Sequence, residues 1–288
     1  MGGGSWTSSA YTAYSTTRGR TVTTDGLLHA SYTSQDLFTA RRLDPALNPK
    51  NVMRECCDSE EHPNTVPVIL ALDVTGSMGS AAADVAKKLN MVMTELYDRV
   101  ADVEFLIMGI GDLAYDHAPI QASQFESDIR IAEQLDKVYF EYGGGGNAYE
   151  SYTAAWYFGV RHTSLDCWKR GKKGIIITMG DEPLNPYLPH VPLSAAMGDS
   201  LQGDVDTKDL YEEVIDKFDV YHLAVDDRAT SYCYYDNRIA YSFGAYLDAD
   251  HLRTVTLDNI AAAIISIVER CSKGDVTSEP STNSEIAW

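Results

Sequence analysis

Residues 66–79 read VPVILALDVTGSMG and carry two signals. The first nine residues form a continuous apolar run rich in β-branched side chains, which is typical of a strand buried on both faces. Asp73 lies at the end of this run, and Thr75 and Ser77 follow it in a glycine-containing turn. Because this spacing directs several oxygens to one spot, the segment also predicts a site for a hard divalent cation.

Strands and helices alternate along the chain after this segment. Apolar runs predict further strands at residues 103–111, 137–142, 174–180, 219–225 and 252–257, and helical spacing predicts helices at 81–99, 129–135, 149–160, 210–218 and 259–271. Alternation of this kind predicts a parallel sheet covered by helices on both faces. The expected fold class is α/β, with a Rossmann-like, doubly wound, mostly parallel central sheet flanked by helices over residues 64–272.

The segments on either side of this domain are polar. Residues 1–25 are rich in Ser, Thr, Gly and Tyr, a composition that predicts a flexible arm when it stands alone. Its aromatic residues Trp6, Tyr11 and Tyr14 favour an arm that lies on a partner or on its own domain. A short helix is expected at residues 34–42. We therefore divide the chain into an N-terminal arm and short helical segment (1–63), the α/β domain (64–272) and a polar tail (273–288).

Composition narrows the class of protein. The 288 residues contain 23 Lys and Arg against 42 Asp and Glu, which gives a net charge of −19. This charge argues against nucleic acid or an anionic membrane as the main partner. No run reaches the roughly 20 apolar residues that a membrane span needs, and the first 25 residues lack the apolar core of a signal peptide. The five cysteines form no CxxC pair, so we expect reduced thiols and a cytoplasmic location, with a virion or large assembly as the alternative.

Two further acids follow other predicted elements. Asp181 ends the strand at 174–180, and Glu150 follows the glycine run at 143–146. In open α/β sheets the ligand site lies outside the carboxyl ends of the strands, so these acids are expected to join Asp73. Asp112, after the strand at 103–111, is a weaker candidate for an outer or adjacent ion site. The alternative for Asp73, Thr75 and Ser77 is a simple cap on the next helix.

The DVTGSMG segment resembles the von Willebrand factor A (VWA) family, and the segments before residue 64 look like those of its prokaryotic or phage intracellular members. The signature of its metal-ion-dependent adhesion site (MIDAS), Asp-x-Ser/Thr-x-Ser, is matched by Asp73, Thr75 and Ser77. The resemblance implies a VWA fold, a bound Mg²⁺ (or Mn²⁺ or Ca²⁺) and an Asp after the fourth strand, which Asp181 fits. The family's distant Thr is missing from the loop GGGGNAYES. The sequence looks more like the integrin β-subunit version, which implies Glu150 in that role, with Asn147 as a weaker candidate.

This resemblance implies a non-enzymatic, metal-dependent protein-binding module. A coordination position facing solvent would take an Asp or Glu side chain of a partner protein, and the ion would locally invert the negative field. Residues around the site are expected to form a partner-binding rim: Gly76, Met78, Tyr149, Tyr152 and Tyr187, with Tyr232, Tyr234 and Tyr235 further along the chain. The alternative for several of these tyrosines is that they pack against neighbouring residues.

Two other functions compete with this one. The Ser/Thr-rich aromatic arm favours a structural component of a phage particle or multi-subunit complex, and VWA domains often work beside AAA+ ATPases. A metal-dependent phosphohydrolase is less favoured, because haloacid-dehalogenase phosphatases carry an acid where this chain has Thr75. The run at 143–146 lacks the Gly-Lys-Ser/Thr ending of a phosphate-binding loop.

Overall fold

The computed structural model of the chain describes residues 4–142, 149–226 and 237–273. The predictions made for Asn147 and for Tyr232, Tyr234 and Tyr235 lie outside these residues. The helices are α1 (Ser8–Thr17), α2 (Ser34–Leu37), α3 (Gly79–Arg99), α4 (Arg130–Leu135), α5 (Thr153–Arg161), α6 (His190–Met197), α7 (Thr207–Val214), α8 (Asn237–Phe243) and α9 (Ile260–Lys273), with 3₁₀ turns at Pro45–Leu47, Gly76–Met78 and Asp166–Arg170. The strands are β1 (Arg54–Cys56), β2 (Val66–Asp73), β3 (Val103–Ile110), β4 (Ile120–Ala122), β5 (Thr163–Leu165), β6 (Gly174–Gly180), β7 (Tyr187–Leu188), β8 (Val205–Asp206), β9 (Phe218–Val225) and β10 (Leu252–Val255).

The central sheet has the strand order β10-β9-β6-β2-β3-β4. All neighbouring strands are parallel except β4, which runs antiparallel to β3 at the edge. From β2 the chain winds outward through β3 and β4, then returns to the other side of β2 and continues through β6, β9 and β10. The order therefore reverses between β2 and β6, and this is where doubly wound sheets bind ligands. The predicted fold class is confirmed.

The alternation of side chains along β2 explains why helices cover both faces of the sheet. Val68, Leu70 and Leu72 pack in one core with α3 and α9, whereas Ile69 and Ala71 pack in a second core with α5 to α8. Side chains two residues apart lie on the same face of a strand, so an uninterrupted apolar run requires an apolar partner on each side.

The N-terminal arm packs on its own domain. Trp6 and Tyr11 are buried against the core that contains α3, and the indole Nε1 of Trp6 donates to Oδ1 of Asn90 at 3.0 Å. Tyr14 and Arg20 each donate to the carboxylate of Asp136, at 2.7 Å in both cases. The arm is therefore ordered as helix α1, because its aromatic side chains find an apolar surface within the chain.

Several predicted elements differ from the structure. No strand forms at residues 137–142, because the side chain of Gln121 satisfies the backbone of Tyr139: Oε1 accepts from its N–H at 2.8 Å and Nε2 donates to its carbonyl at 2.7 Å. The short strand β4, which carries Gln121, forms the sheet edge instead. The helix predicted at 34–42 ends at Leu37, the one predicted at 149–160 begins at Thr153, and the one predicted at 210–218 spans residues 207–214.

Two further observations bear on the sequence analysis. None of the helices in the described ranges is both long and apolar enough to cross a membrane. Cys56, Cys57 and Cys167 are free thiols, and Cys233 lies outside the described residues.

Candidate metal centre

Asp73, the last residue of β2, is completely buried. Its Oδ1 accepts hydrogen bonds from the backbone N–H of Thr75 at 2.8 Å and from the Thr75 hydroxyl at 2.6 Å. Its Oδ2 accepts from the hydroxyl of Tyr152 at 2.8 Å. These three donors fix the carboxylate at the end of the central strand, at the point where the strand order reverses.

Ser77 connects the ends of β2 and β6. It is exposed, it lies in the 3₁₀ turn Gly76–Met78, and its hydroxyl donates to Oδ1 of Asp181 at 3.0 Å. Asp181 directly follows β6 and is partly buried. The structure thus brings the two acids predicted from separate strands to one edge of the sheet, with Thr75 and Ser77 between them.

Glu150 and Asp112 each have one carboxylate oxygen that finds no hydrogen-bond partner in the described part of the chain. Glu150 is 5% exposed and pairs with Leu184 in an isolated parallel bridge, and its Oε2 has no hydrogen-bond partner among the described residues. Asp112 is 2% exposed, and its Oδ2 is likewise without a partner there. A buried carboxylate is costly unless it is paired or coordinates a metal, so these two oxygens point to a ligand.

Thr153, the first threonine after the glycine run, is bonded elsewhere. Its hydroxyl accepts from Nδ2 of Asn185 at 2.5 Å, and its backbone N–H donates to Oδ1 of Asn185 at 3.1 Å. This arrangement leaves Glu150, rather than Thr153, as the residue of this segment that offers an unoccupied oxygen.

The electrostatics of the site favour a cation. Burial, followed by the charge of Asp181, raises the pKa of Asp73 to about 7, although hydrogen bonds from Thr75 and Tyr152 act in the opposite direction. Burial, followed by the charge of Asp73 and then of further acids nearby, raises the pKa of Glu150 to about 10. A divalent ion among these carboxylates would offset their mutual repulsion.

The donor set fits Mg²⁺, Mn²⁺ or Ca²⁺. Within the described ranges no three or more His, Cys, Asp or Glu side chains are grouped so that they could hold a metal ion. The Thr75–Asp73 and Ser77–Asp181 pairs instead offer a mixture of hydroxyl and carboxylate oxygens, and Oε2 of Glu150 has no hydrogen-bond partner among the described residues. Hard divalent cations take such oxygens and complete their coordination with water. Asp73, Thr75, Ser77, Asp181 and Glu150 would hold the ion.

Only some residues of the predicted partner-binding rim are exposed to solvent. Gly76 is exposed, Tyr187 is 41% exposed and Tyr149 is partly buried. Met78 and Tyr152 are 2% and 1% exposed, so their assignment to a partner-binding rim is wrong. Met78 packs into the core with α3, and Tyr152 extends inward beneath Asp73.

The role of Tyr152 as a support for Asp73 was not foreseen from the sequence. Gly180, at the end of β6, makes the contact possible, because a Cβ at this position would collide with the Tyr152 hydroxyl. His222 on β9 lies under the same ring, with centroids 5.1 Å apart, and is completely buried. The sequence signal for this contact is Gly180 itself, because a glycine at the end of a buried strand often marks a place where another group approaches the backbone closely.

The solved structures that this chain resembles are distant in sequence. No family model and no curated protein matches the chain. Among solved structures, the pilus adhesin SpaC from Lactobacillus rhamnosus GG is 14% identical with a TM-score of 0.47, over 78% of this chain and 31% of that one. The vWF domain of the type V pili tip protein Mfa5 from Porphyromonas gingivalis is 14% identical with a TM-score of 0.41, over 71% of this chain and 94% of that one. The conserved hypothetical protein BatB from Bacteroides thetaiotaomicron is 16% identical with a TM-score of 0.43, over 73% of this chain and all of that one.

This chain spans about a third of the length of the SpaC structure. Because these three structures are only 14 to 16% identical to this chain, ligands and partners are argued from the site itself.

Proposed function

We propose that this protein is a metal-dependent protein-binding module. A divalent cation, with Mg²⁺ as the first choice, would be held by Asp73, Thr75, Ser77, Asp181 and Glu150 and would take an Asp or Glu side chain of a partner protein. The observation that carries the proposal is the buried Oε2 of Glu150 near Asp73, which has no hydrogen-bond partner among the described residues, at an edge of the sheet where the Ser77–Asp181 pair is open to solvent.

The cation would explain how an acidic protein binds an acidic group. The chain carries a net charge of −19, which repels carboxylates at long range. A divalent ion reverses the sign of the field over a few ångströms, and the exposed turn at Gly76 and Ser77 leaves one side of it accessible. A partner carboxylate that replaces a coordinated water would then bind through the ion rather than through the protein.

Binding is favoured over hydrolysis by the groups around Asp73. The described donors to its carboxylate are the Thr75 amide and hydroxyl and the Tyr152 hydroxyl. His222 is nearby, but its ring packs against the ring of Tyr152, and burial lowers the pKa of its imidazole to about 3, so it is a weak base. A general base must reach the water that it activates, and none of these groups is placed to do so.

Metal binding is tested by titrating the protein with Mn²⁺ and following the electron paramagnetic resonance of the free ion. We expect wild-type protein to bind Mn²⁺ and Asp181→Asn to bind it about tenfold more weakly. Asp250→Asn, which changes an acid that is 68% exposed in its side chain, is the matched control and should behave as wild type. Equal affinity in all three proteins would contradict the site.

Partner binding is tested through the water on the bound Mn²⁺. A peptide of sequence GSESG, acetylated and amidated at its ends, that coordinates through its glutamate should lower the water-proton relaxation caused by the ion, whereas GSQSG capped in the same way should not. Equal effects of the two peptides would contradict a carboxylate-binding position. Proteins recovered from cell extract in Mg²⁺ but not after chelation would then identify the natural partner.

A further inference from the structure

A cleft of about 520 Å³ lies beside the candidate metal centre. One wall is formed by residues 184–186, which follow β6, and the other by α8 and the turn after it, residues 240–242 and 244–246. None of these lining residues carries a charge, although 23% of the chain is charged. This cleft is therefore an uncharged surface next to an acidic site.

Both walls of the cleft are attached to the metal centre. Leu184 is paired with Glu150 in the isolated bridge, and its backbone N–H donates to the hydroxyl of Ser242 on the opposite wall at 3.0 Å. Phe243, between the two lining segments of that wall, packs against Tyr152 with ring centroids 5.8 Å apart. These buried contacts fix the position of both walls relative to Glu150 and Tyr152.

Aromatic surface is exposed at this edge. Tyr241 lines the cleft and is 86% exposed, and Tyr187, just after the first wall, is 41% exposed. Single exposed aromatic residues are common, but here they border a cleft whose volume is in the range of ligand-binding pockets. Tyrosines in this position offer a large contact area at small entropic cost.

We infer that the cleft receives an apolar or aromatic side chain from the same partner segment whose carboxylate binds the cation. This inference rests on the proposed function and narrows it to a class of partner. A run of acids would place charge against uncharged walls and near Asp181 and Glu182, so a single acid next to an apolar residue is the better match. The partner motif is thus one Asp or Glu flanked by a large apolar side chain.

The inference is tested by binding of three peptides in the presence of Mn²⁺. GSEFG and GFESG carry a phenylalanine on one or other side of the glutamate, and GSESG carries none. We expect at least one phenylalanine peptide to bind about tenfold more tightly than GSESG, because burial of the ring removes apolar surface from water. The variants Ala245→Trp, which fills the cleft, and Tyr241→Ser should each remove this advantage.

Controls separate the inference from the function on which it rests. Ala262→Trp places the same side chain on exposed α9, over the opposite face of the sheet, and should keep the phenylalanine preference. If all three peptides bind equally and depend on the cation, the cleft assignment is overturned and the proposed function stands. If the preference survives chelation, the cation is not the anchor; if no peptide binds, both proposals fail.

Discussion

The hydroxyl of Tyr152 donates to Oδ2 of Asp73 at 2.8 Å, and this bond joins the segment before α5 to the end of β2. The ring is 1% exposed and packs beside His222 and Phe243. Because Thr75 occupies the other oxygen, the buried carboxylate keeps a single orientation. Tyr152 is therefore a positioning residue for the candidate metal centre.

Tyr152→Phe should weaken both the fold and the site. The substitution leaves Oδ2 of a buried carboxylate without its donor, which costs about 1–3 kcal/mol. Urea denaturation without metal should show this loss, and Mn²⁺ titration should show weaker binding. Tyr157→Phe is the matched control, because it removes a hydrogen bond to Asp199 outside the site and should leave the Mn²⁺ affinity unchanged. Unchanged affinity in Tyr152→Phe would exclude the positioning role.

Gly180→Ala should disturb the same contact from the other side. A Cβ at this residue would collide with the Tyr152 hydroxyl and ring, so the tyrosine has to move or the strand end has to shift. Overpacking of this kind costs about 1–3 kcal/mol. Gly203→Ala is the control, since a Cβ there meets no atom within 4 Å. Thermal unfolding of the two variants checks the prediction, and equal midpoints would contradict it.

The central part of the fold was predictable because it depends on burial alone. Residues 66–73, 103–110 and 174–180 are apolar except for Asp73, Glu104 and Thr178, and every residue except Val66 is buried, so composition and length suffice to identify the strands. The positions of Asp73 and Asp181 follow directly, because the carboxyl ends of parallel strands share an edge.

The parts that depend on side-chain hydrogen bonds were not predictable. Helix α5 was expected to begin at Tyr149 but begins at Thr153, because Glu150 pairs with Leu184 and Tyr152 extends beneath Asp73. The apolar spacing of residues 149–160 predicts neither of these two contacts. Likewise, the three-residue strand β4 is too short to leave a pattern.

Stability should fall in acid because of His222. Burial lowers the pKa of its imidazole from 6.5 to about 3, so between these values the unfolded chain binds a proton that the folded chain does not. Folding is therefore disfavoured progressively as the pH falls from about 6.5, by at most about 1.4 kcal/mol per pH unit. The free energy of unfolding of His222→Gln should depend less on pH between 6.5 and 4 than that of wild type. His117→Gln, at a histidine whose side chain is 89% exposed, should keep the wild-type slope; equal slopes in all three proteins would contradict the prediction.

Asp136 should control how firmly the N-terminal arm is held. Its carboxylate accepts hydrogen bonds from Tyr14, Arg18 and Arg20, and its side chain is 9% exposed. Asp136→Asn removes the charge that pairs with both arginines and should release this end of the arm while Trp6 stays buried. Because trypsin cleaves after arginine, the variant should be cut at Arg18 and Arg20 at least several-fold faster than wild type, as mass spectrometry of the fragments would show.

The same variant distinguishes an intramolecular arm from an assembly arm. Arm contacts within one chain predict that light scattering gives the same particle mass for wild type and Asp136→Asn. Asp250→Asn alters an exposed ion pair with Arg270 and serves as the control for the loss of one surface charge. A smaller particle for Asp136→Asn alone would mean that the arm also joins neighbouring copies. An unchanged rate of cleavage would mean that Asp136 does not hold the N-terminal arm in place. The buried indole of Trp6, which donates to Asn90, would then be sufficient to hold the arm.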